Sequence, residues 1–186
     1  GLIATGFYRL GVWGDEPDDK KVAEYDGLDD MLRTTTETFL GLTTGCARCH
    51  DHMFDPISQK DYYSMLAYFR NVRNYAKPSD KGIILRSIDG GKALSVSEHG
   101  SESPETHLLI RGDAYRPERK VEPMIPEIFS TDGPEPEPTE NSSGRRLALA
   151  KWITDPANPL TARVMVNRIW QYHFGRGIVG TPNDFG

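Results

Sequence analysis

The chain has 186 residues, a formal charge of −5 and a hydrophobic share of 37%. That length allows one ordinary domain or two small ones with a real core, and 13 prolines with 18 glycines point to a loop-rich protein. The mild acidity argues against a nucleic-acid binder, which needs a basic face, and no run of about eighteen apolar residues is present to span a membrane.

The chain opens on Gly1-Leu2-Ile3-Ala4, with neither an initiator Met nor a basic and apolar leader, and it stops just after a loop signal at residues 181–186. It reads as an internal piece of a longer protein, so a missing leader says nothing about compartment. The first 25 residues are rich in Gly and Asp, with Phe7, Tyr8, Leu10, Val12 and Trp13 as scattered anchors. Asp26 is the expected cap of a helix over residues 27–44, where Leu28, Met31, Leu32, Thr35, Phe39 and Leu42 keep a helical rhythm. Asp55-Pro56 breaks the chain. Ser58 and Asp61 then form a capping box for a helix carrying Tyr62, Met65, Leu66 and Phe69, ending near Asn71.

Residues 76–105 are polar, with short apolar runs at Ile83-Ile84-Leu85 and Ala93-Leu94-Ser95-Val96. Thr106 to Arg111 is the best strand, closed by Gly112-Asp113. A Pro/Glu stretch around residues 131–143 is too poor in apolar residues to pack and reads as a linker. Beyond it, Ser142 or Ser143 is the expected cap of a helix through Leu147, Leu149, Ala150, Trp152 and Ile153, stopped by Asp155-Pro156. A last helix over residues 161–174 has Val164, Met165, Ile169, Trp170 and Tyr172 as its apolar set and Gly175 as its stop. The expected architecture is mainly α with a small β element (α+β). Residues 1–130 form a first module, residues 131–143 the linker, and residues 144–186 a truncated, helical second module.

The only two cysteines stand in Cys46-Ala47-Arg48-Cys49-His50. This C-x-x-C-H spacing is the one used to attach a c-type haem: both thiols bond the porphyrin and the next imidazole becomes the proximal iron ligand. A zinc site drawn from Cys46, Cys49, His50 and His52 is the first rival, although C-x-x-C supplies only half of a usual zinc set. A redox disulfide is the second. The ligand opposite His50 is ranked as His107, then His173, then Met124, or no protein group at all; Met65 and Met165 lie on apolar helix faces and read as packing. His52 is too near His50 to cross the ring. It reads as a supporting group or an alternative metal ligand, with Asp51 and Asp55 either joining it in a carboxylate–imidazole cluster or capping local turns. Arg48 is a candidate partner for a haem propionate, or a solvated arginine. Arg163, Asn167 and Arg168 on the last helix line either a polar cleft or, on the plainer reading, a solvated or interdomain face.

Three stretches together carry a resemblance. Residues 39–59, from Phe39-Leu40-Gly41 through the cysteine motif to Ile57-Ser58-Gln59, resemble the core motif of the large planctomycete cytochrome-c-like proteins. Thr106-His107-Leu108-Leu109-Ile110-Arg111-Gly112-Asp113 is similar to the strand that recurs after it. Residues 147–179, including Asp155-Pro156-Ala157-Asn158-Pro159-Leu160-Thr161 and Val166-Asn167-Arg168-Ile169-Trp170, resemble the opening of their second, planctomycete-specific domain. Met53 departs from the pattern, where a basic or polar residue is expected. The resemblance implies a cytochrome-c-like haem module in a secreted or periplasmic parent protein. Haem c would be its cofactor, and the rest of the parent chain with unidentified donor and acceptor proteins its partners. An electron carrier or redox subunit fits better than a self-sufficient enzyme. The alternative is a non-redox secreted binding or structural module whose Cys/His cluster holds zinc or a disulfide.

Overall fold

The computed structural model describes residues 7–8, 11, 17–73, 86–88, 91–93, 96–129 and 133–185. Leu10, Val12, Trp13, the run at residues 83–85, Leu94, Ser95 and the first two linker residues lie outside them. Helix α1 spans Lys20–Thr35 and α2 spans Gln59–Leu66. Strands β1 (Arg86–Ile88) and β2 (Gly91–Ala93) pair antiparallel, as do β3 (Thr106–Leu109) and β4 (Pro117–Val121). Helices α3 (Arg145–Thr154) and α4 (Thr161–Phe174) follow. Among the described residues this is an α+β chain of four α-helices and small two-stranded sheets. None of those helices is long and apolar enough to cross a membrane.

Helix α1 starts earlier than its sequence suggests. Its cap is Asp19, whose Oδ1 accepts the amides of Lys21 at 2.9 Å and Val22 at 3.0 Å. Asp26, the expected cap, lies inside the helix and turns its carboxylate to Arg48. The helix widens into a π-helical turn over Thr36–Leu40 and ends at Gly41, whose φ of +62° suits glycine. Residues 41–44, expected to remain helical, therefore form a short irregular link that leads into the cysteine motif. The Ser58–Asp61 capping box forms as the sequence predicts.

One core unites these elements. Tyr25, Leu28, Met31 and Leu32 of α1 meet Tyr62, Tyr63, Met65 and Leu66 of α2, with Leu108 and Leu109 of β3 beside them. Ala148, Leu149 and Ile153 of α3 enter the same cluster. The chain between β4 and α3 is pinned by polar contacts where apolar ones are scarce. Glu98, 3% exposed along its side chain, accepts from Asn71 Nδ2, Ser142 Oγ, the Ser143 amide and Arg146 Nε at 2.7–2.9 Å. Helix α3 begins at Gly144, at φ +72° and without a side-chain cap, so neither Ser142 nor Ser143 is its cap; Ser142 Oγ accepts the Gly144 amide.

Helix α4 differs most from its sequence pattern. Of the expected apolar set only Val164 is buried, while Met165, Ile169, Trp170 and Tyr172 are exposed. Polar contacts orient it instead. Asn167, 3% exposed, donates to the Val179 carbonyl and accepts the Val179 amide, and Arg168 donates to the Glu37 carbonyl. The Asn167 bonds tie the helix to the chain that follows it, the Arg168 bond ties it to the π-helical turn, and Gly175 ends it at φ +85°.

Candidate functional site

Gly45–Arg48 forms a single 3-10 turn, closed by the Cys49 amide donating to the Cys46 carbonyl at 3.3 Å. In such a turn residues three apart eclipse one another, so Cys46 and Cys49 share a face. Ala47 is fully buried and Arg48 is turned toward the body of the protein, whereas Cys46, Cys49 and His50 are exposed. The motif thus divides its labour. Its two intervening residues hold it down, and its three chemically capable side chains face out. Both thiols are free.

The anchoring is mostly through Arg48. Its carbonyl accepts Gln59 Nε2 and the Tyr63 hydroxyl, both at 2.9 Å, from successive turns of α2. The same Gln59 Nε2 donates to the Leu109 carbonyl at 2.9 Å, and the Gln59 amide donates to Asp51 Oδ1 at 2.8 Å. One glutamine thereby ties the motif, the end of β3 and the residue after His50. The Arg48 guanidinium lies 2.8 Å from Asp26 and 3.9 Å from Asp29. Asp29 also accepts the Tyr62 hydroxyl at 2.5 Å. Burial, reinforced by the Asp29 carboxylate, holds that phenol well above the ordinary tyrosine range. Arg48, a candidate for a haem propionate or a solvated arginine by sequence, is anchored to α1 through the Asp26 and Asp29 carboxylates.

After β3 the chain turns through Arg111, at φ +54°, and Gly112, at φ +75°. Arg111 is the one non-glycine at positive φ among the described residues. A Cβ placed on Gly112 would lie 2.9 Å from Cys49 Sγ and 3.4 Å from the Arg48 carbonyl oxygen. The bare glycine face is therefore a wall of the Cys49 thiol site.

The two histidines beside the cysteines carry opposite tautomers. His50 Nδ1 is 2.7 Å from the Asp51 carbonyl. A carbonyl can only accept, so Nδ1 donates and Nε2 keeps a lone pair on an exposed ring. His52 Nδ1 accepts the Asp55 amide at 2.9 Å, which places its proton on Nε2. Its side chain is 7% exposed and closes the 52–57 loop, together with its own amide bonded to the Ile57 carbonyl. His52 thus supports the loop, while Asp51 caps α2 through the Gln59 amide. Among the described residues no three His, Cys, Asp or Glu side chains are gathered as a metal site. Met53 and Phe54 stand exposed at the tip of that loop.

The candidates for the far side of a haem are spread out. His107 on β3 faces Lys120 across the ladder and has Glu105 3.8 Å from Nε2. It sits two residues before Leu109, on the strand that Gln59 ties to the motif. His173 ends α4, exposed, with Nδ1 bonded to the Ile169 carbonyl at 2.9 Å. Met124 is half-buried, and its amide donates to the Ser64 carbonyl. Met65 is core and Met165 is exposed. Arg163 is exposed, while Asn167 is buried. Sequence reasoning missed Gln59, Tyr63, Asp29 and Gly112. The signal for Gly112 was present, since Arg-Gly-Asp after a strand marks a sharp turn, but nothing local shows that the turn folds over a cysteine.

The donor set fits a covalently attached haem: two free thiols on one face, a histidine with its outer nitrogen available, and a glycine cradle at one sulfur. Residues 145–186 match the family model described as PSD1, protein of unknown function (DUF1553). No curated protein and no solved structure matches the chain. Residues 1–74, which contain α1, the cysteine motif and α2, match the family model described as PSCyt2, protein of unknown function (DUF1549).

Proposed function

We propose that this chain is a c-type haem-binding electron-transfer module of the cell envelope, with a cytochrome-c-like first part. Haem c is held covalently by Cys46 and Cys49, and His50 is its proximal ligand. The observation that carries this reading is the pairing of two outward thiols on one 3-10 face with a His50 whose Nδ1 proton is fixed on the Asp51 carbonyl. That bond presets the tautomer a metal-ligating imidazole needs. The matches to PSCyt2 and PSD1 support the resemblance to planctomycete cytochrome-like proteins. Haem bound in this way supplies a one-electron iron couple whose potential follows the second ligand and the degree of burial. The chain's own part is to present three side chains on a turn already fixed by Gln59, Tyr63 and Asp26.

The test is an optical spectrum, oxidised and then reduced, on protein made in the periplasm with haem-attachment machinery. Sharp reduced bands that survive acid–acetone extraction, and become extractable when both Cys46→Ala and Cys49→Ala are present, are expected. A colourless protein carrying zinc or a Cys46–Cys49 disulfide would defeat the proposal. His107→Ala is expected to turn a low-spin spectrum high-spin, since β3 is the strand tied to the motif; an unchanged spectrum would pass the role to His173 or Met124.

A further inference from the structure

The turn after β3 bears on the cysteine motif through a contact that the haem reading does not use. We propose that Gly112 is a positioning residue for Cys49: its missing side chain leaves open the space that the Cys49 sulfur occupies, and so keeps the two thiols in register for attachment at two points. The consequence for haem rests on the function proposed above, while the contact itself does not. Each attachment adds a thiol across a vinyl double bond. Sulfur bonds one vinyl carbon and the thiol hydrogen ends on the other, so no oxidant or reductant is consumed. Both additions would require each sulfur to reach its own vinyl group.

The backbone of the 3-10 turn sets where the two Cβ atoms stand, but χ1 decides where each sulfur goes, and three staggered wells are open to it. At Cys49 the well that is occupied depends on Gly112 having no side chain. A Cβ there would lie 2.9 Å from Sγ, with Arg48 Cγ and the Arg48 carbonyl oxygen both at 3.4 Å behind it. The turn cannot easily retreat. Leu109 is held by Gln59, the Ile110 amide donates to the Arg116 carbonyl at 3.0 Å, and the Asp113 amide donates to the Ile110 carbonyl at 3.2 Å. The softest response to an added methyl is rotation of Cys49 to another well. Cys46 is not among the three nearest contacts of any described glycine other than its chain neighbour Gly45, so the effect is expected at one sulfur.

Gly112→Ala tests this, with Gly112→Asn as a second variant, because asparagine tolerates positive φ best among side chains bearing a Cβ. Gly175→Ala is the control: Gly175 is also at positive φ, +85°, but a methyl group added there would have nothing within 4 Å. In haem-free folded protein, the ratio of Cys49 to Cys46 alkylation rates, read by peptide mass mapping, is expected to change several-fold in both Gly112 variants and to stay at the parent value in Gly175→Ala. After loading in the periplasm, Cys46 is expected to remain blocked in the Gly112 variants while Cys49 becomes open to alkylation. An unchanged rate ratio, or both sulfurs blocked as in the parent, would overturn the role of Gly112. A parent protein with both thiols free after loading would remove the haem reading, and the rate ratio would still decide the Gly112 contact.

Discussion

Arg48 carries two kinds of bond at once, and the contrast explains why the motif is rigid. Its guanidinium reaches Asp26 and Asp29 on α1, where part of the interaction is open to solvent and so is worth little on its own. Its carbonyl is satisfied twice from α2, by Gln59 and Tyr63. Gln59 is the more consequential partner because one amide group serves two carbonyls. Gln59→Leu keeps the size of the side chain but leaves the Leu109 carbonyl without this donor and halves the support of the Arg48 carbonyl. The expected loss is about 2 kcal/mol of stability, taking roughly 1 kcal/mol for each hydrogen bond. Chemical denaturation would measure it, and a variant as stable as the parent would show that water replaces the glutamine. None of these partnerships is legible in the sequence. Asp26 looks like a helix cap there because its role depends on Arg48, which is distant in sequence and near only after folding.

Elements whose logic is local are readable; those fixed by distant partners are not. The Ser58–Asp61 box follows from short-range chemistry and forms as expected, and the strand starts at Thr106 as expected but ends at Leu109, where Ile110–Gly112 turn in place of the expected strand end at Arg111. Gly175 also stops α4 as its sequence suggests. The orientation of α4 does not follow from apolar spacing, because apolar residues lie almost all round the helix and Asn167 and Arg168 choose the face. Helix α3 shows a second case. Its entry is set by Gly144, where a Cβ would run into the Glu137 backbone. Gly144→Ala is therefore expected to cost at least about 2 kcal/mol, from positive φ together with the clash. Gly175→Ala, with open space around it, is expected to cost about 1 kcal/mol, from φ alone. Thermal melts of the two variants side by side would separate the two causes, and equal shifts would show that the Glu137 backbone moves aside.

Across the molecule, Glu98 does what apolar burial does elsewhere. It joins the end of the α2 region, through Asn71, to Ser142, Ser143 and Arg146 at the start of α3. Burial pushes its carboxyl up, but the Arg146 charge and the donors from Arg146, Ser143 and Ser142 together hold it below the ordinary value of 4.5. A carboxyl depressed in the folded state contributes stability that is complete above its unfolded pKa and is lost as pH falls through the folded one. The parent should therefore lose stability below about pH 4.5. Glu98→Gln should be less stable at neutral pH and lose less on acidification. Melting curves taken through the carboxylate range check this; parallel acid profiles for the two proteins would move the dependence to other groups. The Pro/Glu composition of the linker is plain in the sequence, but not the single buried carboxylate that fastens its far end.

The clamp behind the cysteine turn also bears on the order of assembly. Gln59, Tyr63, Asp26 and the buried Ala47 hold residues 45–50 with bonds made wholly within the polypeptide. Bonds made wholly within the polypeptide do not draw on a ligand's free energy, so, on the proposed function, folding and haem loading are expected to be separate events with weak thermodynamic linkage. The haem-free chain should then unfold cooperatively on heating, and Cys46→Ala with Cys49→Ala should shift that transition only slightly. A haem-free protein that melts without a cooperative transition would instead make the cofactor part of the fold.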